Sequence, residues 1–167
     1  MAQPSSGWQA DKARADVFMP AVKAILGRII LAEPTAFEDA HENTDLKTLV
    51  VRGTRIAVRM RDAATTPEKY WGQFTLRTSR PRGTKTELEK ISEGWGDWFF
   101  YGFGDYTIGK IVSYVVIDLA AFRRRLINNI PAVRVDDRDN HDGSSGFRAY
   151  FVDDFDNRVI VHKWTRT

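Results

Sequence analysis

Three arginines, Arg55, Arg59 and Arg61, alternate with Ile56, Val58 and Met60 along a seven-residue stretch. Side chains in a strand change face at every residue, so this pattern predicts a half-buried strand with one basic face. Arg77, Arg80 and Arg82 follow within a short distance in the chain. Like charges crowded on one face repel unless something answers them. Nearby carboxylates in ordinary ion pairs would answer them, and so would a phosphate backbone. Both readings stand at this point.

The formal net charge is only +3, but it is unevenly spread. From Glu33 to Asp45 there are five acids (Glu33, Glu38, Asp39, Glu42, Asp45) and no lysine or arginine. From Arg52 to Lys85 there are nine basic residues against two acids, Asp62 and Glu68. Acid returns between Asp136 and Asp156. An acidic segment beside a basic one suits a metal-dependent protein that handles nucleic acid. It equally suits a chain whose own halves neutralise each other.

Composition removes several other chemistries. The 167 residues include no cysteine, which excludes disulfides, cysteine-based zinc sites and a thiol nucleophile. His41, His141 and His162 are far apart in the chain and argue against a histidine zinc site. No apolar run approaches the roughly 20 residues of a membrane-spanning helix, and the first residues lack the pattern of a signal peptide. The expected compartment is the cytoplasm, with no membrane partner. The length suits one domain with a sizeable core.

These side chains need elements to position them. Residues 11–31 have helical character, and Pro20 places the start of the main helix near Met19, because proline fits a first helical turn. An acidic connection follows. Asp45 to Arg61 reads as two strands joined by a tight turn at Gly53. Tyr70 to Ser79 reads as a third strand with Phe74 and Leu76 on its core side. Thr84-Lys-Thr-Glu87 has a capping-box spacing for a short helix that Gly94 stops. Asp97 to Phe103 is an aromatic, central strand, and Ser113 to Asp118 is another. Ala120 to Asn128 is a helix with Arg123, Arg124 and Arg125 turned to solvent. Asp136 to Gly146 reads as a polar loop, and two more strands close the chain at 147–152 and 158–164. The order predicts an α/β (α+β) fold, a mixed sheet flanked by helices.

The run of helix, three strands, helix and strand over about residues 20–103 resembles the core of the PD-(D/E)XK nuclease superfamily. Residues 104–167 would be an extension completing the sheet within one domain, 1–167. The local likeness is to Holliday-junction resolvases and restriction endonucleases. It rests on Asp45-Leu-Lys-Thr-Leu-Val-Val-Arg-Gly-Thr-Arg-Ile-Ala-Val-Arg59. The resemblance implies a nuclease in which Asp45 and Glu38 (or Asp39) hold magnesium ions. The sequence departs from the motif at two positions. Ala57 stands where the family has glutamate, and Arg59 where it has the catalytic lysine. A register on the third strand puts Gln73 and Thr75 at those places and restores no carboxylate. A working metal site would need a displaced acid such as Glu42, Glu87 or Glu89, because magnesium takes several hard oxygen ligands. Arginine keeps its proton and cannot replace lysine in proton handling.

Other candidates are weaker. The glycine-rich run from Gly94 to Gly104 lacks phosphate-loop spacing; its aromatics suit a core strand, or stacking on unpaired bases. Asp153, Asp154 and Asp156 do not match a calcium loop and read as a solvated turn. Asp118 precedes a helix and reads as its cap. The expectation is therefore a protein that binds or processes nucleic acid on a degenerate nuclease-like scaffold. Arg55, Arg59, Arg61, Arg77, Arg80 and Arg82 would meet phosphates. Asp45, Glu38 and Arg59 would form a catalytic site with Mg²⁺ if hydrolysis occurs. The alternative is a non-catalytic accessory or inhibitory factor that binds a protein partner.

Overall fold

The computed structural model describes residues 6–32, 47–48, 53–80, 85–128, 132–140, 143 and 145–166. Glu38, Asp45 and Arg82 lie outside them, as do Asp39 and Glu42. The chain divides into two compact units, 1–54 and 55–167. The boundary falls inside the stretch expected to form a hairpin.

The first unit contains helix α1 (Ser6–Ile30) and a two-residue antiparallel pairing between β1 (Leu31–Ala32) and β2 (Lys47–Thr48). The helix begins well before Met19, and Pro20 sits inside it. An internal proline removes a hydrogen bond and crowds the preceding turn, at a cost of about 3 kcal/mol. The stripe of buried residues runs straight through it. Phe18, Val22 and Leu26 are spaced by four and are all buried, while Pro20 itself is exposed. Burial of that stripe on both sides of the proline outweighs the local penalty.

The second unit is α+β and carries two sheets, where the sequence suggested one. Its elements are β3 (Ile56–Asp62), β4 (Gln73–Arg77), α2 (Glu87–Ser92), β5 (Trp98–Asp105), β6 (Lys110–Asp118), α3 (Leu119–Asn128), β7 (Val135–Asp139), β8 (Gly146–Phe151) and β9 (Ile160–Thr165). A four-stranded mixed sheet has the order β3-β5-β6-β9, and a three-stranded antiparallel sheet the order β4-β8-β7. Among the described residues no helix is long and apolar enough to cross a membrane.

The core joins the two sheets and both helices. Phe74, Leu76 and Tyr150 come from the smaller sheet, and Phe99, Tyr101, Phe103, Val115 and Ile117 from the larger one. Ile91 and Phe122 come from α2 and α3. Phe74 is fully buried, with ring centroids 5.3 Å from Tyr150, 5.6 Å from Phe122 and 5.8 Å from Phe155. The aromatic strand expected at Asp97–Phe103 is β5, and it is central in its sheet.

β3 has a neighbour that the sequence did not suggest. Its described neighbour is β5, and the two run parallel. The expected hairpin partner, residues 46–51, falls outside the described residues except for Lys47–Thr48, which pair with Leu31–Ala32. The parallel register sets Arg59 opposite Tyr101 and Arg61 opposite Phe103. Paired residues in adjacent strands share a face, so the arginine face of β3 is the face on which Tyr101 and Phe103 enter the core. Arg59 and Arg61 are half-buried, like Val58 and Met60 on the other face.

Two helix boundaries rest on capping chemistry. Asp118 caps α3 as expected, its Oδ1 accepting the Ala121 amide at 2.7 Å. The capping box of α2 lies two residues beyond its expected place. Thr86 Oγ1 accepts the Glu89 amide at 3.2 Å, and Glu89 Oε2 accepts the Thr86 amide at 2.6 Å. Gly94 stops the helix, with φ +91°. Three arginines of α3 were expected in solvent, but only Arg124 is exposed. Arg123 donates to the Ile91 carbonyl at 3.2 Å.

The Thr86 amide, and then its hydroxyl, hold the Glu89 carboxyl below the ordinary carboxylate range. A depressed folded-state value stabilises the fold above the unfolded value, and that contribution fades as pH falls through the folded one. Glu89→Gln should therefore lower the melting temperature at pH 7, with the gap closing below about pH 4. A gap that stays constant with pH would show that the carboxylate charge plays no part in the cap.

Candidate functional site

The predicted arginines divide according to what answers them. Arg55 is neutralised at the surface. Its amide and Nε donate to Asp97 Oδ2 at 2.8 and 3.2 Å. That pairing holds Asp97 below its usual range and raises Arg55.

Arg59 bridges the two sheets. Its Nη1 donates to the Thr75 carbonyl of β4 at 3.2 Å, and its Nη2 pairs with Glu87 Oε2 at 2.9 Å. The two side chains are only 21% and 23% exposed. Burial lowers the Arg59 pKa; Glu87 opposes this, and the nearby charges of Arg61 and Arg77 add to the lowering. An arginine nevertheless keeps its proton at neutral pH.

Arg61 reaches the same place from two residues along β3. Its Nε donates to the Tyr101 hydroxyl and its Nη2 to Thr75 Oγ1, both at 3.3 Å. Thr75 Oγ1 and Tyr101 Oη are 3.0 Å apart, which closes a small polar network. Arg77 lies two residues beyond Thr75, so the two share a face of β4. Its amide donates to Glu87 Oε2 at 3.2 Å. Among the described residues its guanidinium has no ion pair. Arg80 is exposed and likewise has no ion pair among them. Arg59, Arg61, Arg77, Thr75, Tyr101 and Glu87 thus form a seam where β3 faces β4.

Asp45 and Glu38 lie outside the described residues. Glu87 is engaged by Arg59 and by the Arg77 amide, and Glu89 by Thr86. Among the described residues no three histidine or carboxylate groups are placed to hold a metal ion. Asp153, Asp154 and Asp156 pair instead with Lys163, Arg134 and Arg158.

The aromatic run is mainly core. Phe99, Phe100, Tyr101 and Phe103 are buried, whereas Trp95 is 58% exposed. Sequence reasoning treated Tyr101 only as part of that run. The signal was available: in the alternation Phe99-Tyr101-Phe103, the middle ring alone carries a hydroxyl that must find a partner once buried. Elsewhere an open depression of about 380 Å³ is bounded by the 63–68 loop, Trp71, Val112 and Arg166; it contains none of the predicted arginines. No family model, curated protein or solved structure matches this chain.

Proposed function

We propose that this chain is a nucleic-acid-binding domain whose phosphate contacts centre on the seam between β3 and β4. One observation carries the reading. Among the described residues, Arg59, Arg61 and Arg77 come close enough there for their charges to interact, and only Arg59 is paired with a carboxylate, Glu87. Arg59 is the internal brace. Arg61, Arg77 and Arg80 supply the free charge, with Arg82 following in the chain. Arg55, already paired with Asp97, contributes least.

The test is binding of fluorescently labelled single-stranded and duplex DNA, and of RNA, across a salt series. Affinity for duplex should fall with a log–log slope of about −0.9 per phosphate neutralised. Arg77→Ala with Arg80→Ala should weaken binding on every sequence and reduce the magnitude of that slope by about 2, near 1 per cation removed. A folded wild-type protein with no affinity at low salt would overturn the proposal. The same samples incubated with Mg²⁺, beside Asp45→Ala, test whether hydrolysis accompanies binding. Strand cutting lost in that variant would assign the metal site to Asp45 and its neighbours.

The second reading, a non-catalytic factor that binds a protein, draws on large apolar side chains left in solvent. Trp95 is 58% exposed and Ile127 82% exposed. Failure of every nucleic acid to bind would favour it.

A further inference from the structure

We infer that the seam is a receptor for a terminal phosphate, the phosphomonoester at the end of a nucleic-acid strand, rather than for an internal phosphodiester. The inference rests on the nucleic-acid reading above and makes it specific.

Charge is the first argument. Arg59, Arg61 and Arg77 carry three positive charges, and among the described residues only Arg59 has an ion pair, with Glu87. The seam is left with a residual charge of +2. A phosphomonoester carries about −1.5 to −2 at neutral pH, whereas each backbone phosphodiester carries one charge. A monoester matches the imbalance with one group, where diesters would need two groups in the same place.

Donor supply is the second. Arg77 presents a guanidinium with five N–H donors, and none has an acceptor among the described residues. Arg61 spends its Nε and Nη2 on neutral hydroxyls, Tyr101 and Thr75, which leaves its charge unanswered. Thr75 Oγ1 and Tyr101 Oη share one hydrogen bond, which leaves one hydroxyl proton between them to donate to an added oxygen. A phosphate with three terminal oxygens can use all of these groups, since guanidinium forks pair with phosphate bidentately.

Access is the third. The seam lies between the facing strands of two sheets. Tyr101 is 2% exposed, and the Arg59 side chain is about one-fifth exposed. A group that reaches these side chains has to arrive end-on. A backbone phosphate brings chain on both sides and would have to thread between the strands. The exposed Arg80 would follow the strand away from its end.

The experiment compares one short single-stranded oligonucleotide in three forms: 5′-phosphorylated, 3′-phosphorylated, and hydroxyl at both ends. It uses the full chain at low salt. The expected result is at least tenfold tighter binding of one phosphorylated form, with that advantage suppressed by millimolar inorganic phosphate. Arg77→Gln should bring the phosphorylated form down to the affinity of the hydroxyl form with little change in melting temperature. Arg77→Lys, which keeps the charge without the fork, should retain part of the preference. It serves as the second variant if Arg77→Gln fails to fold.

Equal affinity for all three forms would overturn the terminal-phosphate inference while leaving nucleic-acid binding intact. A preference that survives Arg77→Gln would overturn the assignment to this seam. Loss of binding to all forms by the wild type would overturn the underlying reading as well.

Discussion

Truncating Phe74 to alanine is expected to lower the unfolding free energy by about 3–5 kcal/mol, read from urea denaturation. The ring is fully buried and is surrounded by Tyr150, Phe122 and Phe155. These come from β8, from α3 and from the turn after β8, so a void here opens between three elements. They cannot all close on it at once, which places the cost at the upper end for core truncations. Domains of this size are stable by only about 5–15 kcal/mol, so the variant should lie near the edge of folding. Ile127→Ala is the control. That side chain is 82% exposed, and its removal should change stability by no more than about 0.5 kcal/mol. A loss below about 1 kcal/mol for Phe74→Ala would show that the smaller sheet is not packed on this core.

The second large effect is expected at Glu87. Glu87→Ala leaves Arg59 half-buried without its carboxylate and the Arg77 amide without its side-chain acceptor. Removing one partner of a well-buried ion pair costs about 3–5 kcal/mol. Both side chains here keep about a fifth of their surface in water, which screens the orphaned charge, so about 2–3 kcal/mol is expected. The informative companion is the double variant Arg59→Met with Glu87→Leu. It removes both charges and keeps apolar volume, and it should recover to within about 1 kcal/mol of wild type. The double-mutant cycle measures the coupling directly. Additive losses would mean that the two residues do not act as a pair.

The sequence reading was strongest where one local rule decided the outcome. The apolar and aromatic composition of residues 97–103 required a buried strand, and β5 is that strand. Asp118 before a helix had to be its cap, and Gly94 was available to end α2. The reading failed where tertiary partners decided. Val135-Asp-Asp-Arg-Asp139 looked like loop because aspartate disfavours strands. It is β7, and its charges are answered in place: Asp137 pairs with Arg148 of β8 at 2.7 Å, and Asp136 with Arg138 on its own strand. The Thr84–Glu87 spacing and the Thr86–Glu89 spacing both fit a capping box, and only the backbone chose between them.

The candidate site was half legible. The alternation of Arg55, Arg59 and Arg61 was correct as a pattern. Its meaning was not available, because the described partners of β3 lie far from it in the chain. The expected hairpin concerns residues close to β3 in the chain and says nothing of its other edge. The parallel pairing brings Tyr101 beside Arg59 from 42 residues away, and Thr75 and Glu87 arrive from a separate sheet and helix. Long-range partners of this kind leave no mark on local periodicity.

The seam also bears on how this protein avoids sticking to copies of itself. Among the described residues β3 and β4 each end a sheet, and an open strand edge is a template on which another chain can polymerise. Charged side chains pointing inward at an edge are one of the ways in which natural sheets discourage such growth. Arg59 and Arg61 stand at the edge of β3, and the Arg59 guanidinium already occupies the Thr75 carbonyl at the edge of β4. An incoming strand would have to displace that guanidinium and strand its charge, so the residues proposed to gather an anion would also guard two borders against aggregation.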